Sequence, residues 1–200
     1  MGRSELTTPH GRCVVLDLPD GELAAALAAL PAAERDRAEA LSPVRRRDFV
    51  AGRTALHALV GDVPIEASDR GAPVVAGWTC SISHKGARAV ALVAPAGDGF
   101  VGVDLEHAAP PRVDIAPRIL TPREPRAAGA ALTRVFAIKE AIYKAIDPIV
   151  RRYVHFGEVE VELATHRITV VDPAALAVAV DAWSLELDGH WLATARGRPI

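Results

Sequence analysis

TCSISHKGARAVALVAPAGDGFVGVDLE, residues 79–106, is the stretch that decides the fold class. It contains three short runs, TCSISH, ARAVALVAP and FVGVDLE, in which apolar and β-branched residues are frequent, as in β-strands. The turn PAGDG separates the second run from the third, and Gly/Asp turns of this kind join antiparallel strands. The sequence therefore predicts β-structure here, with ARAVALVAP and FVGVDLE forming a hairpin.

Helical patterns lie on both sides of these strands. Upstream, Pro31 precedes AAERDRAEAL, and Ser42-Pro43 precedes VRRRDFVAGRTALHALVG, a segment with apolar residues near the helical period that ends at Gly61. Downstream, FAIKEAIYKAID has an apolar stripe at helical spacing, formed by Ile138, Ala141, Ile142 and Ala145. Both halves of the chain therefore contain predicted helices.

The C-terminal part has the pattern of β-strands. EVEVEL and RITVVD are rich in β-branched residues, and AVDAWSLEL and HWLATAR flank Asp188-Gly189, a favourable hairpin turn. Helices and mostly antiparallel strands thus occur in both halves, which makes α+β the predicted fold class.

The composition limits the classes of function. The chain has 200 residues, half of them hydrophobic, and a formal net charge of −2, which argues against a general nucleic-acid or membrane-surface binder. No segment has the pattern of a signal peptide or a membrane span. Cys13 and Cys80 are far apart and lack metal-ligand spacing, so we expect reduced thiols in a cytoplasmic protein.

Two carboxylates share one face of the predicted strand VGVDLE. Strand alternation places Asp104 and Glu106 on one side, and on the other the apolar residues Val101, Val103 and Leu105. Carboxylates at this spacing, about 6–7 Å apart at Cα, can converge on one hard cation such as Mg²⁺. The alternative is the solvated polar face of an ordinary amphipathic strand.

The predicted helix FAIKEAIYKAID carries charges of both signs. Glu140 and Lys144 lie four residues apart on one helix face, with Lys139 and Tyr143 beside them. One interpretation is an ordinary ion pair on a helix surface. The other is a third carboxylate at a metal ion, with a cation next to a phosphate.

Further polar residues have the chemistry to hold an anion. Ser83 and His84 stand at the end of a strand-like run, where a hydroxyl and an imidazole can donate to a phosphate. Arg45 and Arg53 are about two turns apart on one predicted helix and can address the same anion. The alternatives are a structural histidine and a solvated helix face. The sequence contains no Walker loop, no GxGxxG fingerprint and no GxSxG elbow.

Taken together and in order, these motifs resemble those of one enzyme family. GAPVVAGWTCSISH, VGVDLE and FAIKEAIYKA, with RRRDFVAGRTALHALVG upstream and RRYVHFGEVEVEL downstream, resemble the motif series of the Sfp-type 4′-phosphopantetheinyl transferases. The similarity is greatest to the enterobactin-synthase-like branch and covers about residues 45–161. It implies two similar α+β halves, residues 1–106 and 107–200, that form one functional unit with the active site between them.

The resemblance also implies roles for individual residues. Asp104, Glu106 and Glu140 would bind Mg²⁺, with Mn²⁺ as an alternative metal. Glu140 would in addition be, or orient, the base, so that the catalytic set is Asp104, Glu140 and Lys144. Coenzyme A would be held by Arg45, Arg53, Arg70, Gly71, Ala72, Pro73, Ser83, His84, Lys139 and Lys144, with residues 70–73 passing the adenine.

The implied activity is Mg²⁺-dependent transfer of 4′-phosphopantetheine from coenzyme A to a serine of an apo acyl or peptidyl carrier protein, releasing adenosine 3′,5′-bisphosphate. Fatty-acid, polyketide and siderophore or other secondary-metabolite carriers remain open. We expect a monomer with no nucleic-acid or membrane partner. The alternative function is a non-catalytic coenzyme A- or nucleotide-binding domain. A triphosphate-dependent phosphotransferase would ordinarily show a phosphate-cradling glycine loop, which is missing.

Overall fold

A computed structural model of the chain describes residues 2–124, 127–165, 167–170 and 176–200. In this part of the chain the elements are, in order, β1 (Gly2–Thr8), β2 (Gly11–Asp17), α1 (Leu23–Ala29), α2 (Ala32–Glu39), α3 (Pro43–Val60), β3 (Glu66–Ala67), β4 (Pro73–Val74), β5 (Trp78–Lys85), β6 (Arg88–Pro95), β7 (Phe100–His107), α4 (Ala116–Ile119), α5 (Ala130–Val150), β8 (Val159–Glu162), β9 (Arg167–Val170), β10 (Val178–Leu187) and β11 (His190–Pro199). Short 3-10 turns occupy Asp20–Glu22 and Phe156–Glu158.

Two antiparallel sheets and two long helices form four layers. The N-terminal sheet has the strand order β1-β2-β6-β5, and the C-terminal sheet has the order β10-β11-β7. One apolar cluster joins α3 to the N-terminal sheet, a second joins α5 to β10 and β11, and a third lies between the two sheets. The predicted α+β class is confirmed, and each half packs one long helix on an antiparallel sheet.

The ends of several elements agree with the sequence signals. Helix α3 begins at Pro43 and ends before Gly61, whose N–H donates to the carbonyl oxygen of His57 at 2.8 Å. The β10–β11 hairpin turns at Asp188 and Gly189, both with positive φ, as a type I′ turn requires. Strand β9 contains the first four residues of RITVVD, and the last two lie outside the described residues. Within the described residues, no helix is both long and apolar enough to cross a bilayer.

The predicted hairpin of ARAVALVAP with FVGVDLE is wrong. These runs form β6 and β7, but β6 pairs with β2 and β5, whereas β7 pairs with β11. Because both edges of β6 are already hydrogen-bonded, the chain leaves the N-terminal sheet after the turn and enters the other sheet. The predicted boundary at residue 106 stays a prediction. It falls inside β7, a strand that forms its ladder within the C-terminal sheet.

Hydroxyl groups on β5 connect the two sheets. The backbone N–H of Val101 donates to Thr79 Oγ1 at 3.1 Å, and that of Val103 donates to Ser81 Oγ at 3.1 Å. Thr79 and Ser81 are two residues apart and therefore point to the same side of β5. These side chains satisfy β7 amides at the edge that does not face β11, and so fix β7 against the N-terminal half.

Gly102 allows β7 to pack directly on the backbone of α5. A Cβ atom placed on Gly102 would lie less than 2.5 Å from the carbonyl oxygen of Ala141 and 2.7 Å from the amide nitrogen of Ala145. Its neighbours Val101 and Val103 point the other way, into the cluster between the sheets. The predicted alternation of this strand is confirmed, and its polar face is the one that meets α5.

We expect Gly102→Ala to lower the free energy of unfolding by about 1–3 kcal/mol, since the added methyl would force strand and helix apart. Denaturant unfolding measures this change. Gly21→Ala is the matched control, because a Cβ at Gly21 would meet no atom within 4 Å. Equal stability of the two variants would contradict the close approach of β7 and α5.

Candidate active site

Asp104 on β7 and Lys144 on α5 form the centre of the predicted site. The Lys144 ammonium donates to Asp104 Oδ1 at 2.7 Å and to the carbonyl oxygen of Val103 at 2.9 Å. Ser83 on β5 donates to the same carboxylate oxygen at 2.7 Å. Asp104 is only 5% exposed. Its carboxylate on β7 is held in one orientation by Ser83 on β5 and Lys144 on α5.

The second oxygen of Asp104 has no such partner. Asp104 Oδ2 is buried, and no residue in the described part of the chain forms a hydrogen bond with it. A buried carboxylate oxygen without a donor is costly, because it has lost its water without replacement. This oxygen is therefore suited to accept a ligand that carries positive charge.

Glu140 lies one helical turn before Lys144, on the same face of α5. Burial raises the pKa of the Glu140 carboxyl above its usual range, and the charge of Asp104 raises this pKa further. Lys144 acts in the opposite direction, and Glu106 adds a smaller rise to the pKa of Glu140. Asp104 and Glu106 are therefore both close enough to Glu140 for their charges to act on its carboxyl.

Glu106 has its own cationic partner. Its carboxylate lies 2.5 Å from the ammonium of Lys85, which stands at the end of β5. Both side chains are partly exposed, so solvent screens this pair and its contribution to stability is small. Lys85 thus partly neutralises Glu106, as Lys144 does Asp104.

The donor chemistry of this site fits a hard divalent cation. No three His, Cys, Asp or Glu side chains in the described part of the chain are already grouped as a metal site. Asp104 nevertheless has a buried oxygen without a partner, and after burial the charge of Asp104 is the next cause of the raised pKa of Glu140, so oxygen ligands of like charge lie near one another. Carboxylate oxygens are the protein ligands that Mg²⁺ prefers. Asp104, Glu106 and Glu140 are the residues that would hold it.

A cleft of about 200 Å³ opens beside Glu140. Its walls combine α5 with loops from both halves of the chain, and its lining residues are Arg70, Glu140, Tyr143, Asp147, Arg152, Tyr153, Val154 and Phe156. Aromatic and apolar side chains form much of the lining, while charged groups stand around it. Such a cleft can take a ligand with both polar and apolar parts.

The loop at residues 70–73 is fixed against the far end of α5. Arg70 donates to both carboxylate oxygens of Asp147, at 2.7 and 2.6 Å. Gly71 has a φ of +84° in the turn that returns the chain to Ser68. Ala72 donates its N–H to Ser68 Oγ at 3.0 Å, and Pro73 begins β4. The structure thus brings Arg70 and Glu140 to one cleft, whereas Gly71, Ala72 and Pro73 are not among the residues that line it.

Lys139 does not lie with the other predicted phosphate ligands. It is 0% exposed, and its ammonium donates to Glu124 Oε2 at 2.8 Å and to the carbonyl oxygens of Ile119 and Phe156 at 2.6 and 2.9 Å. All three N–H groups are thereby used inside the protein. The predicted phosphate contact of Lys139 does not fit this position. Adjacent residues of a helix point in different directions, and of Lys139 and Glu140 it is Glu140 that lines the cleft.

Arg53 also lies in the core. It is 5% exposed, donates to the carbonyl oxygen of Ile65 at 2.9 Å, and lies 3.5 Å from the carboxylate of Glu34. Its predicted phosphate contact does not fit this arrangement, since its charge is directed at the protein interior. Arg45, two turns earlier on α3, is exposed. The two arginines therefore do not face a common anion here.

Ser83 and His84 point to different groups. Ser83 is buried and orients Asp104, whereas the half-exposed His84 has its Nδ1 3.3 Å from Asp48 Oδ1 on α3. His84 thus connects β5 with the first half of α3, where Arg45 also lies. Both positions agree with a polar site at this end of the strand. Of Ser83, His84, Arg45 and Arg53, His84 and Arg45 are the two whose side chains are open to solvent.

Several residues that line the cleft were not predicted from the sequence. Asp147 follows Glu140 by seven residues and shares its helix face, so the i, i+3, i+4, i+7 pattern gave a signal for it. Tyr153 lies in an irregular loop and Phe156 begins the short 3-10 turn that follows it, and neither segment has a periodic pattern. The partner of Lys139, Glu124, has no local signal either, because it comes from a distant loop.

Comparison with known families gave two matches. Residues 33–94 match the family model described as 4′-phosphopantetheinyl transferase N-terminal domain. Residues 100–195, which include Asp104, Glu106, Glu140 and Lys144, match the model described as 4′-phosphopantetheinyl transferase superfamily. No curated protein sequence matched the chain. The two matched segments follow one another and together cover most of the chain.

Proposed function

This chain belongs to the 4′-phosphopantetheinyl transferase superfamily, and from that premise we propose that it moves 4′-phosphopantetheine from coenzyme A to a serine hydroxyl of an apo acyl or peptidyl carrier protein. The observation that carries the proposal is the position of Glu140. This carboxylate lines a cleft while it stands beside Asp104 and Lys144. The site therefore combines a base, Glu140, with a cation that can bind an anion, Lys144, and a cleft that can admit a substrate.

The reaction forms one bond and breaks one bond. The carrier serine oxygen attacks the phosphorus on the pantetheine side of the coenzyme A pyrophosphate. The bond from that phosphorus to the bridging oxygen breaks, and adenosine 3′,5′-bisphosphate leaves. Glu140 accepts the serine proton, for which its raised pKa is favourable, because a base works best when its pKa is near the working pH.

The cations of the site act on the phosphates. Lys144, about one-third exposed, can direct its ammonium from Asp104 towards the departing bisphosphate. Mg²⁺ held by Asp104, Glu106 and Glu140 would, when bound, supply positive charge that offsets the charge of the pyrophosphate. Ser83 keeps Asp104 in place throughout, since its hydroxyl donates to the carboxylate oxygen that Lys144 also uses.

A non-catalytic coenzyme A-binding domain is the competing function. Such a domain has no need of a buried carboxylate with a raised pKa at the edge of the binding cleft, because repulsion from Asp104 and Glu106 opposes binding of an anion. The arrangement of Glu140 therefore favours the transferase.

Incubation with coenzyme A, Mg²⁺ and a panel of apo carrier proteins tests the proposal. The panel contains fatty-acid, polyketide and siderophore-synthetase carriers, each paired with its serine-to-alanine variant. We expect at least one carrier to gain the mass of a phosphopantetheine arm, and its variant and an EDTA-treated reaction to gain none. Failure with every carrier, while coenzyme A binds, would support the non-catalytic alternative.

The finer assignments belong to the same proposal. We place the chain in the enterobactin-synthase-like branch, so siderophore and other secondary-metabolite carriers are the first to test. We expect the enzyme to be cytoplasmic, since its proposed substrates are coenzyme A and carrier proteins of that compartment. A monomer remains our expectation for its oligomeric state.

A further inference from the structure

Two histidines face each other on adjacent strands, away from the proposed active site. His107 ends β7 and His190 begins β11, and the two residues are direct partners in the antiparallel register. Their ring centroids are 4.7 Å apart, and the rings are tilted by 44°. His107 is exposed and His190 is half-buried, so solutes can reach the pair. From this pair we propose a binding site for one transition-metal dication, such as Zn²⁺.

The ring separation fits two imidazoles on one metal ion. Zinc–nitrogen bonds are about 2.0–2.1 Å, and a ring nitrogen lies about 1.2 Å from its ring centre. Two imidazoles at neighbouring positions of one ion, about 90–110° apart, therefore have centroids about 4.5–5.2 Å apart. The observed 4.7 Å lies within this range. Rotation about side-chain bonds is enough to aim both nitrogens at one point.

A hydrogen bond prepares His190 to bind a metal. Its Nδ1 lies 3.0 Å from the carbonyl oxygen of Asp188, which can only accept, so Nδ1 carries the proton. The lone pair is then on Nε2, which is free to coordinate. Metal-binding histidines typically donate their other ring N–H to a carbonyl or carboxylate in this way. The β10–β11 turn thus fixes both the tautomer and the direction of the ring.

The pair lies on the opposite face of β7 from the acids. Leu105 and Leu192 are register partners one step further into the sheet and belong to the cluster between the two sheets. Because side chains alternate along a strand, His107 shares the face of Leu105, while Glu106 shares the face of Asp104. The histidine site is therefore separate from the proposed Mg²⁺ site.

The ligand type decides which ion is bound. Imidazole nitrogen suits Zn²⁺, Cu²⁺ and Ni²⁺, whereas Mg²⁺ and Ca²⁺ prefer oxygen. Charges around the pair are mixed: Asp17 is close enough to interact with His190, while Arg112 and Lys85 act on His107. Lys85 is already paired with Glu106 at 2.5 Å, which reduces its repulsion of a cation. Water would fill the remaining positions of the ion.

Calorimetric titration of the full chain with ZnCl₂, in excess MgCl₂ and without coenzyme A, tests this site. We expect the wild type to bind one Zn²⁺ at this pair, and His107→Gln and His190→Gln each to lose at least about tenfold in affinity. His155→Gln is the matched control, because His155 is exposed but its ring faces Tyr153 and not a second imidazole. This control is expected to bind Zn²⁺ as the wild type does.

Two further measurements make the result decisive. Zn²⁺ should raise the melting temperature of the wild type and of His155→Gln, but not of the two other variants, because an ion that bridges β7 and β11 binds only the folded state. Far-ultraviolet circular dichroism confirms that all variants are folded. Absence of Zn²⁺ binding by the wild type, or equal affinity in all four proteins, would overturn the proposal. Neither outcome depends on the transferase activity.

Discussion

Replacing Glu140 by glutamine is expected to lower kcat/KM for carrier modification by about 10³-fold or more. Glutamine keeps the shape of the side chain but can neither accept the serine proton nor hold a metal ion as a carboxylate does. The loss should appear in kcat, with the affinity for coenzyme A changed far less, because the binding cleft remains. Initial rates at saturating Mg²⁺, followed by intact mass of the carrier, measure it.

The control for this prediction is Glu39→Gln, an exposed glutamate on α2, which should retain wild-type activity. The Glu140→Gln protein should also be at least as stable as the wild type. Its carboxyl has a raised pKa because the folded protein disfavours the charged form, and a neutral amide removes that penalty. Activity above about one-tenth of wild type would contradict the role of Glu140 as the base.

Replacing Lys139 by methionine is expected to lower the free energy of unfolding by about 3–5 kcal/mol. The change leaves Glu124, whose side chain is 3% exposed, as a buried charge without its cation. Glu124 also accepts from the N–H groups of Thr121 and Val161, both at 2.7 Å, so the pair connects several segments. Urea unfolding followed by circular dichroism gives the change.

A matched control and a second substitution isolate the ion pair. Arg12→Met breaks the exposed pair with Glu5 and should change stability by no more than about 1 kcal/mol. Adding Glu124→Gln to Lys139→Met should recover part of the loss, since the unpaired charge is then removed.

The Lys139→Met variant also tests which role of Lys139 is correct, the phosphate contact predicted from the sequence or the buried ion pair found in the structure. If this lysine contacted the phosphates of coenzyme A, Lys139→Met would be as stable as Arg12→Met and would bind coenzyme A weakly. The three hydrogen bonds of its ammonium lead us to expect the opposite, a large loss of stability.

Local patterns were sufficient wherever structure depends on nearby residues. The α+β class, the start and end of α3, and the turn at Asp188 and Gly189 followed from propensity and turn chemistry. Strand alternation placed Asp104 and Glu106 on one face of the strand, opposite the apolar residues. Strand pairing was not predicted correctly. β6 and β7 were expected to pair with each other, whereas β6 pairs with its neighbour β5 and the distant β2, and β7 pairs with the distant β11.

The sequence by itself determined which acids and which lysine stand together, because the periods of strand and helix put Asp104 with Glu106 and Glu140 with Lys144 on common faces. Only the tertiary structure decided that these faces meet, through the close packing of Gly102 on α5. It alone also decided that Lys139 and Arg53 are directed into the core. The reason is that the partners of a buried charge, such as Glu124 for Lys139, are supplied by distant segments that periodicity does not reveal.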